Sequence, residues 1–231
     1  MVQAMTSDET VGTEWRPGPA CPRAADDELH LWRIDLDRPE PDDVLSAAER
    51  ARRDRLVTEQ LRRRWGNSRR GLREVLGRYL GQPPAAVELA LDEKGKPELA
   101  GASPPLRFNL SHSSGLALVA VGAKLAVGVD VERIEPRRDG LKLAARMLTP
   151  AAIEAIRAAA PERRAAVFHA AWTEFEARLK CAGGGIAGGE PEGPVAVTPV
   201  AVGTGYAAAV AVAGTAPPTL RRYLLARPIN P

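Results

Sequence analysis

Alternating apolar and polar residues near the start of the chain predict a β-strand over residues 29–37. Two helices are predicted next, over residues 42–57 and 61–80. Ser46, followed three positions later by Glu49, has the spacing of a capping box for the first of these helices. The chain is therefore expected to begin its folded part with one strand and a pair of helices.

The rest of the sequence predicts a run of strands, then a run of helices, then a second run of strands. Strands are predicted over residues 87–91, 106–110, 116–121 and 126–131, the last two as a hairpin. Helices are predicted over residues 139–147, from Thr149–Pro150 onward, and from Pro161 to residue 181. Three more strands are predicted over residues 195–202, 206–212 and 220–226. Each half of the chain thus offers helices that can pack on a mostly antiparallel sheet, which predicts an α+β fold.

The composition is that of an ordinary globular protein, with 231 residues, 45% apolar and 26% charged. This length accommodates one large domain or two small lobes. Two widely separated cysteines, Cys21 and Cys181, argue against a disulfide framework and favour a reducing cytoplasm. No apolar run reaches the roughly 18 residues of a membrane span, and residues 1–22 lack the apolar core of a secretory signal.

Arginine is concentrated in one part of a chain whose net charge is only +3. Residues 49–78 contain eleven arginines and four acids. Such a stretch is typical of a solvated helix face, of a phosphate-binding surface, or of a surface for an acidic protein. Nucleic acid is a weaker alternative, because aromatic residues make up only 4% and no stacking motif accompanies the arginines.

Two acids, Asp130 and Glu132, are two positions apart at the end of the predicted strand over residues 126–131. Side chains alternate along a strand, so Asp130 and Glu132 are expected on one face and Val129 and Val131 on the buried face. Gly128 permits another backbone to approach closely. A solvated pair of acids at a sheet edge is the alternative to a functional site.

The helix that follows Pro161 carries another acid and a lysine. Glu176 and Lys180 are one turn apart and share a face with Trp172. With the two strand acids they make three carboxylates and one ammonium, a set that can converge on a hard cation and its phosphate ligands. A surface position for Glu176 is the alternative.

Two further segments carry groups that suit phosphates. In the strand end at residues 109–113, Ser111 can offer a hydroxyl and His112 a ring N–H, and N–H groups of a following turn can bind an anion. A purely structural turn is the alternative, and a serine–histidine nucleophile is disfavoured because adjacent residues face apart. Lys96 follows Gly95 and can reach a phosphate as a point charge, although this segment also has the pattern of an ordinary exposed turn.

Four motifs occur in order, at residues 95–97 (Gly-Lys-Pro), 108–113 (Phe-Asn-Leu-Ser-His-Ser), 128–132 (Gly-Val-Asp-Val-Glu) and 172–180 (Trp-Thr-Glu-Phe-Glu-Ala-Arg-Leu-Lys). Together they resemble the 4′-phosphopantetheinyl transferases, in particular the two-lobed, monomeric type that acts on polyketide and nonribosomal-peptide carrier proteins in secondary metabolism. The resemblance extends over about residues 29–226. One departure is Phe175, where many members of the family have lysine.

The resemblance implies a pseudo-dimer of two similar lobes with the active site between them. A flexible leader is expected over residues 1–28, an N-terminal lobe over 29–124 and a C-terminal lobe over 125–231. Coenzyme A is the implied donor, Mg²⁺ the implied cofactor, and a serine of an acidic acyl or peptidyl carrier protein the implied acceptor. A cytoplasmic monomer with no nucleic-acid or membrane partner is expected.

The same resemblance implies a role for each matched residue. Asp130, Glu132 and Glu176 would hold Mg²⁺. Lys180 would contact the phosphate and protonate the departing 3′,5′-ADP, and Glu176 would act as general base directly or through water. The coenzyme A phosphates would be bound by Lys96, Ser111 and His112, with His112 on the 3′-phosphate, and by Arg52, Arg55 and Arg64. The alternative is a catalytically inactive basic module that binds an acidic partner protein or nucleic acid, against which the intact acids and Lys180 argue.

Overall fold

The computed structural model describes residues 14–41, 43–92, 95–100, 106–135, 140–183 and 191–226. Within these ranges the chain has the α+β composition expected from its sequence. The elements in chain order are β1 (Arg16–Pro17), β2 (Glu28–Asp35), α1 (Ala47–Asp54), α2 (Glu59–Leu80), β3 (Leu89–Leu91), β4 (Pro97–Leu99), β5 (Arg107–Ser113), β6 (Leu116–Gly122), β7 (Val127–Arg133), α3 (Leu141–Met147), α4 (Pro150–Ala158), α5 (Pro161–Cys181), β8 (Val195–Pro199), β9 (Tyr206–Ala213) and β10 (Thr219–Leu224).

The larger sheet has the strand order β1-β10-β2-β6-β5. Strands β2, β6 and β5 are antiparallel to one another, whereas β10 runs parallel to β2 and β1 parallel to β10. Helix α2 covers one face of this sheet, with Leu72 and Leu76 packed against Trp32 and Ile34 in one apolar cluster. The last strand of the described chain therefore belongs to the sheet of the first half, so a boundary at residue 125 does not separate the two sheets.

The smaller sheet, β7-β9-β8, is antiparallel and is covered by α5. Gly128 is the point of closest approach, because a Cβ atom there would lie 2.0 Å from the carbonyl oxygen of Ala177 and 2.5 Å from the amide nitrogen of Cys181. No side chain larger than hydrogen fits this contact without a shift of the backbone. The glycine before the two acids thus sets how close α5 lies to β7.

An apolar core joins the two sheets. Val129 and Val131 point into it, as the alternation of the strand predicts, and meet Leu31 and Leu118 of the larger sheet. The opposite side of β7, which carries the acids, faces α5 and the end of β5. The seam between β5, β7 and α5 is therefore where chemistry-bearing side chains of both halves can meet.

The predicted hairpin of β6 and β7 is wrong. Strand β6 pairs with β5 and β2, while β7 pairs with β9. The hairpin is formed by β5 and β6 and turns at Ser114 and Gly115, where Ser114 has a φ of 52°, and a two-residue turn of this kind connects antiparallel strands tightly. Strand β5 also extends to Ser113, beyond its predicted end at residue 110, so Ser111 and His112 lie within the sheet and not in a turn.

The residues that cap the start of α1 are those expected from the sequence, whereas the first residue of that helix differs from the prediction. Ser46 and Glu49 form the predicted capping box, but α1 begins only at Ala47 because the cap itself is extended. Helix α2 ends at Leu80, and the next residue, Gly81, adopts a φ of 65°. Residues 42 and 139, at which two of the predicted helices begin, lie outside the described residues.

Residues 14–28 have a defined place in the fold. Strand β1 extends the larger sheet, and Trp15 donates its indole N–H to the carbonyl of Ala201 at 3.0 Å. Gly18 lies so close to the Trp32 ring that a Cβ atom would be 2.0 Å from it. Residues 1–13 of the expected flexible leader lie outside the described residues. Among the helices of the described chain, none is both long and apolar enough to cross a membrane.

Candidate functional site

Strands β5 and β7 are edge strands of different sheets, and side chains join them where backbone pairing does not. Three side chains of β5 accept backbone N–H groups of β7. The pairs are Asn109 Oδ1 with Val129 (2.9 Å), Ser111 Oγ with Val131 (3.3 Å) and Ser113 Oγ with Arg133 (3.1 Å). The conformation of β7 beside its acids is therefore set by the polar alternate residues of β5.

Each of the two strand acids accepts a hydrogen bond from one serine of β5. The Ser111 hydroxyl donates to Oδ1 of Asp130 and the Ser113 hydroxyl to Oε2 of Glu132, each at 2.8 Å. Asp130 is only 2% exposed. The two acids lie on the same side of β7, as expected, and are held there by side chains from the other sheet.

Helix α5 adds an ammonium and a third carboxylate. The Nζ atom of Lys180 lies 2.5 Å from Oδ1 of Asp130, 3.3 Å from Oε2 of Glu176 and 3.3 Å from the Ser111 hydroxyl. The continuous helix places Glu176 and Lys180 one turn apart, as their spacing predicts. Side chains from β5, β7 and α5 thus meet around Asp130.

Burial and neighbouring charges shift the pKa values in this cluster. Burial raises the pKa of Glu132, the Ser113 hydrogen bond partly opposes the rise, and the charge of Asp130 adds to it. Burial and the charge of Asp130 likewise raise the pKa of Glu176. Burial alone would lower the pKa of Lys180, but Asp130 and Glu176 outweigh it and the pKa is raised. The lysine therefore stays protonated among acids that it only partly neutralises.

The donor set fits a hard divalent cation in its chemistry. Three carboxylates face one ammonium, and the buried Oδ2 atom of Asp130 has no hydrogen-bond partner among the described residues. Carboxylate oxygens are the side-chain ligands that Mg²⁺ prefers. Within the described ranges, however, no three His, Cys, Asp or Glu side chains are already drawn together around a single point.

His112 faces the opposite side of β5 from Ser111 and Ser113, toward α2. Surrounding protein atoms displace part of its water and lower its pKa, and the charges of Arg69 and Lys180 lower it further, although the ring still reaches solvent. An imidazole flanked by two cations is a suitable partner for an anion. Ser111 and His112 therefore serve two different sides of the strand.

Arg69 is not among the residues expected from the sequence to bind a ligand. It lies half-buried on α2, with its guanidinium 5.3 Å from the centre of the Trp65 ring, and has no carboxylate partner among the described residues. Burial and the guanidiniums of Arg52 and Arg73 lower its pKa against the effect of Glu49. In the sequence, its only distinguishing feature is its position one turn after Trp65. Its nearness to His112 could not be predicted, because that depends on how α2 packs on β5.

The three arginines expected near coenzyme A differ in their surroundings. Arg52 and Arg55 are exposed at the end of α1 and make no ion pair within the described chain. Arg64 instead forms two hydrogen bonds with the carboxylate of Asp37, at 2.7 and 3.0 Å. Arg64 is thus already neutralised, while the first two are not.

Several other arginines of residues 49–78 also have acidic partners. Arg70 contacts Asp43 and Glu74, each within 2.8 Å, and its side chain is only 13% exposed. The buried Arg73 contacts Glu49 at 2.8 Å. The stretch is therefore less basic at its surface than its composition indicates.

Lys96 lies apart from the two serines, at a recess of about 520 Å³ between β4, the start of β5 and the end of α5. Phe108 and Cys181 also line this recess. Burial raises the pKa of the Cys181 thiol to about 11, and the nearby charge of Lys96 opposes that rise. Two of the elements that border this recess, β5 and α5, also carry Ser111 and Lys180.

His169 is a further buried polar residue of α5 that the sequence does not single out. It is 1% exposed, its Nδ1 atom lies 2.8 Å from the carbonyl oxygen of Ala165, and its Nε2 atom has no partner among the described residues.

The chain is similar to known proteins of one enzyme superfamily. The model of the 4′-phosphopantetheinyl transferase superfamily matches residues 126–207, a range that includes β7 and α5. The 4′-phosphopantetheinyl transferase HetI of Nostoc sp. is 41% identical over 192 residues, which cover 80% of this chain and 81% of HetI. The 4′-phosphopantetheinyl transferase AcpT of Salmonella typhi is 37% identical over 112 residues, which cover 48% of this chain and 56% of AcpT. With similarity to HetI along most of both chains, this protein belongs to the 4′-phosphopantetheinyl transferase superfamily.

Proposed function

We propose that the protein transfers the 4′-phosphopantetheine group of coenzyme A to a serine of an apo acyl or peptidyl carrier protein and releases 3′,5′-ADP. The observation that carries this proposal is the meeting of Asp130, Glu176 and Lys180 beside Ser111 at the seam of the two sheets. In a member of this superfamily, that cluster has the charges that a pyrophosphate-cleaving transfer requires.

In the proposed reaction the carrier serine oxygen forms a bond to the phosphorus that bears pantetheine. The bond from that phosphorus to the oxygen of the 5′-phosphate of 3′,5′-ADP breaks, and the serine proton is lost. Glu176 is the proposed acceptor of that proton, directly or through water, because its raised pKa suits a general base better than that of an exposed carboxylate. Lys180, with its raised pKa, is the proposed donor to the departing phosphate oxygen.

Asp130, Glu132 and Glu176 are proposed to hold Mg²⁺. The bound cation would neutralise negative charge on the pyrophosphate during transfer. The buried Oδ2 atom of Asp130, without a partner in the described chain, and the crowded carboxylates support this assignment. A divalent cation would offset the charge of Asp130, which adds to burial in raising the pKa values of Glu132 and Glu176.

The phosphates of coenzyme A are proposed to lie on both sides of β5. Lys180 and Ser111 would contact the pyrophosphate, and His112 would contact the 3′-phosphate with Arg69 beside it. Lys96 is a proposed phosphate contact at the recess next to α5. Arg52 and Arg55 remain proposed contacts at the rim, and Arg64 is a weaker candidate because Asp37 engages it.

The proposed acceptor is an acidic carrier protein of polyketide or nonribosomal-peptide synthesis. Exposed Arg52 and Arg55 support an acidic partner, since opposite surface charges speed association. We propose that one chain acts as a monomer, because the cluster draws its side chains from both halves of that chain. We propose a cytoplasmic location, where coenzyme A and apo carrier proteins would be met.

The experiment is incubation of the protein with coenzyme A, Mg²⁺ and a panel of apo carrier proteins, followed by intact mass measurement of the carriers. We expect one carrier serine to gain one phosphopantetheine group and an equal amount of 3′,5′-ADP to appear. Omission of Mg²⁺ with added chelator should abolish both products. If no member of a panel drawn from fatty-acid, polyketide and nonribosomal-peptide systems is modified, the proposed function is wrong.

A further inference from the structure

Ser113 connects β7 to one of its acids through a single hydroxyl. Its Oγ atom accepts the backbone N–H of Arg133 at 3.1 Å and donates to Oε2 of Glu132 at 2.8 Å. A serine hydroxyl has one proton to donate, so acceptance from the amide and donation to the carboxylate use complementary parts of the group. The hydroxyl is thus fixed at both ends by neighbouring residues of one strand.

Ser111 repeats this arrangement two residues earlier. Its hydroxyl accepts the N–H of Val131 and donates to Oδ1 of Asp130. Asn109, two residues earlier again, accepts the N–H of Val129 in the same way, but the preceding residue of β7 is Gly128 and has no side chain to hold. This row of β5 therefore contains two serines that hold both backbone and acid, and one asparagine that holds backbone alone.

Donors from the described residues reach only one oxygen of each acid. On Asp130 both Ser111 and Lys180 reach Oδ1, and the buried Oδ2 has no partner there. On Glu132 the hydrogen bond from Ser113 reaches Oε2. A carboxylate whose first oxygen is hydrogen-bonded keeps its orientation, and its second oxygen is available to a cation. Hydrogen-bond donors that hold a metal-binding side chain in this way tune the affinity for the metal.

We propose, on the basis of the proposed function, that Ser113 is a positioning residue that holds Glu132 by Oε2 so that Oε1 is presented to the divalent cation. Ser111 has the same effect on Asp130, in addition to its contact with Lys180. The two serines of β5 thus support the acids of β7, and Ser111 is not only a phosphate contact. Loss of Ser113 weakens cation binding without removing a ligand.

The test compares three substitutions at Ser113 with one at Asn109. Ser113→Thr keeps the hydroxyl, Ser113→Val has the shape of that threonine variant without the hydroxyl, and Ser113→Ala removes the hydroxyl with the least bulk. Asn109→Ala loses the same kind of strand contact without touching an acid. Binding of Mn²⁺ is measured from the electron paramagnetic resonance signal of the free ion, with and without coenzyme A, and the Mg²⁺ concentration for half-maximal transfer is measured separately.

We expect Ser113→Val and Ser113→Ala to weaken Mn²⁺ binding and to raise the half-maximal Mg²⁺ concentration about 10-fold or more. Ser113→Thr should restore both values. Asn109→Ala should lower the melting temperature and leave both values as in the unmodified protein. The maximal rate at saturating Mg²⁺ should fall less in the Ser113 variants than the apparent affinity for the cation.

Mn²⁺ binding by Ser113→Val that equals that of Ser113→Thr would overturn the proposal. So would an Asn109→Ala variant that loses as much affinity as Ser113→Val, or an unmodified protein that binds no Mn²⁺ in either condition. The binding measurement does not depend on transfer to a carrier. A protein that modifies no carrier but shows the threonine–valine difference would thus refute the proposed function and retain the role of Ser113.

Discussion

The ammonium of Lys180 lies 2.5 Å from Oδ1 of Asp130 and bridges it to Glu176, 3.3 Å away on the same helix as the lysine. The three residues come from β7 and α5, which Gly128 allows to touch. One cation therefore balances two buried or half-buried acids, and Glu132 adds a third negative group nearby. Serine hydroxyls stabilise the charges of Asp130 and Glu132, and the remaining excess of negative charge favours an added cation.

Replacement of Glu176 by glutamine should nearly abolish transfer. The side chain keeps its shape but cannot accept the serine proton or hold a cation with full charge, and loss of a general base alone costs about 10²–10⁴-fold. Glu174→Gln is the control, because Glu174 lies on another face of α5 and has no ion partner among the described residues. The rate of holo-carrier formation by intact mass is the measurement, and near-normal turnover of the Glu176 variant would rule out its role.

Alanine at His112 or at Arg69 should weaken coenzyme A binding more than it slows the chemical step. Each removes a proposed charge-assisted contact to the 3′-phosphate, worth about 1.5–3 kcal/mol. The Michaelis constant for coenzyme A should rise in both variants, and with 3′-dephospho-coenzyme A as donor the difference from the unmodified protein should largely vanish. Arg157→Ala is the control, since that arginine lies on α4, pairs with Glu154 and has no proposed contact with coenzyme A. Equal losses with both donors would contradict a 3′-phosphate site.

Local periodicity is the part of this molecule that the sequence makes predictable. The strand alternation places Asp130 and Glu132 together, and the helical spacing does the same for Glu176 and Lys180. These patterns depend only on the geometry of single elements, which is the same in any fold. The capping box of Ser46 and Glu49 is predictable for the same reason, because its two residues are only three positions apart.

Contacts between distant elements cannot be predicted in the same way. The assignment of β10 to the first sheet depends on chain paths that leave no local pattern. The sequence also does not show which arginines lack an acidic partner. Arg64 and Arg70 pair with Asp37 and Asp43, which lie outside the arginine-rich stretch. Arg69 escapes prediction from the sequence for that reason.

Gly128→Ala should destabilise the fold. The added methyl group would overlap the backbone of α5 at Ala177, a contact that no flexible side chain can relieve. Overpacking of this kind costs about 1–3 kcal/mol and sometimes more. Urea unfolding gives the free energy directly. Gly193→Ala is the control, because a Cβ atom at that glycine would have no neighbour within 4 Å among the described residues, and equal stability of the two variants would show that α5 is not pressed against β7.

Exposed arginines at the end of α1 should speed association with an acidic carrier protein. Arg55→Glu reverses one unpaired surface charge and should raise the Michaelis constant for the carrier, with an effect that shrinks as salt screens charges beyond about 8–10 Å. Arg70→Glu is a poor probe of steering, because Arg70 is held by Asp43 and Glu74. Transfer kinetics from low to high salt are the measurement. A salt-independent Michaelis constant for the carrier would exclude steering by this surface.

The contribution of His30 to stability should fall as the pH drops below about 6.5, the ordinary pKa of histidine. Burial lowers the pKa of His30, and Glu28 offsets this only in part. The buried ring lies 2.7 Å from the hydroxyl of Tyr79 and 3.3 Å from Glu28. Just below about pH 6.5, His30 binds a proton in the unfolded chain but not in the folded protein, so protonation favours unfolding. The contribution of His30 to the free energy of unfolding is therefore fully present above about pH 6.5. It declines as the pH falls toward the lower pKa of the folded state. His112, whose pKa is also lowered, contributes with the same sign.

Urea unfolding at several pH values between about 5 and 8 should show this decline in the unmodified protein. His112→Gln should make the decline shallower, because one of the two lowered histidines no longer titrates. A direct reading comes from nuclear magnetic resonance titration of the His30 ring in the intact protein, which avoids any loss of folding in a His30 variant. A His30 pKa at or above about 6.5 would contradict the proposed cause, since the buried ring would then favour its charged form as much as an exposed histidine does.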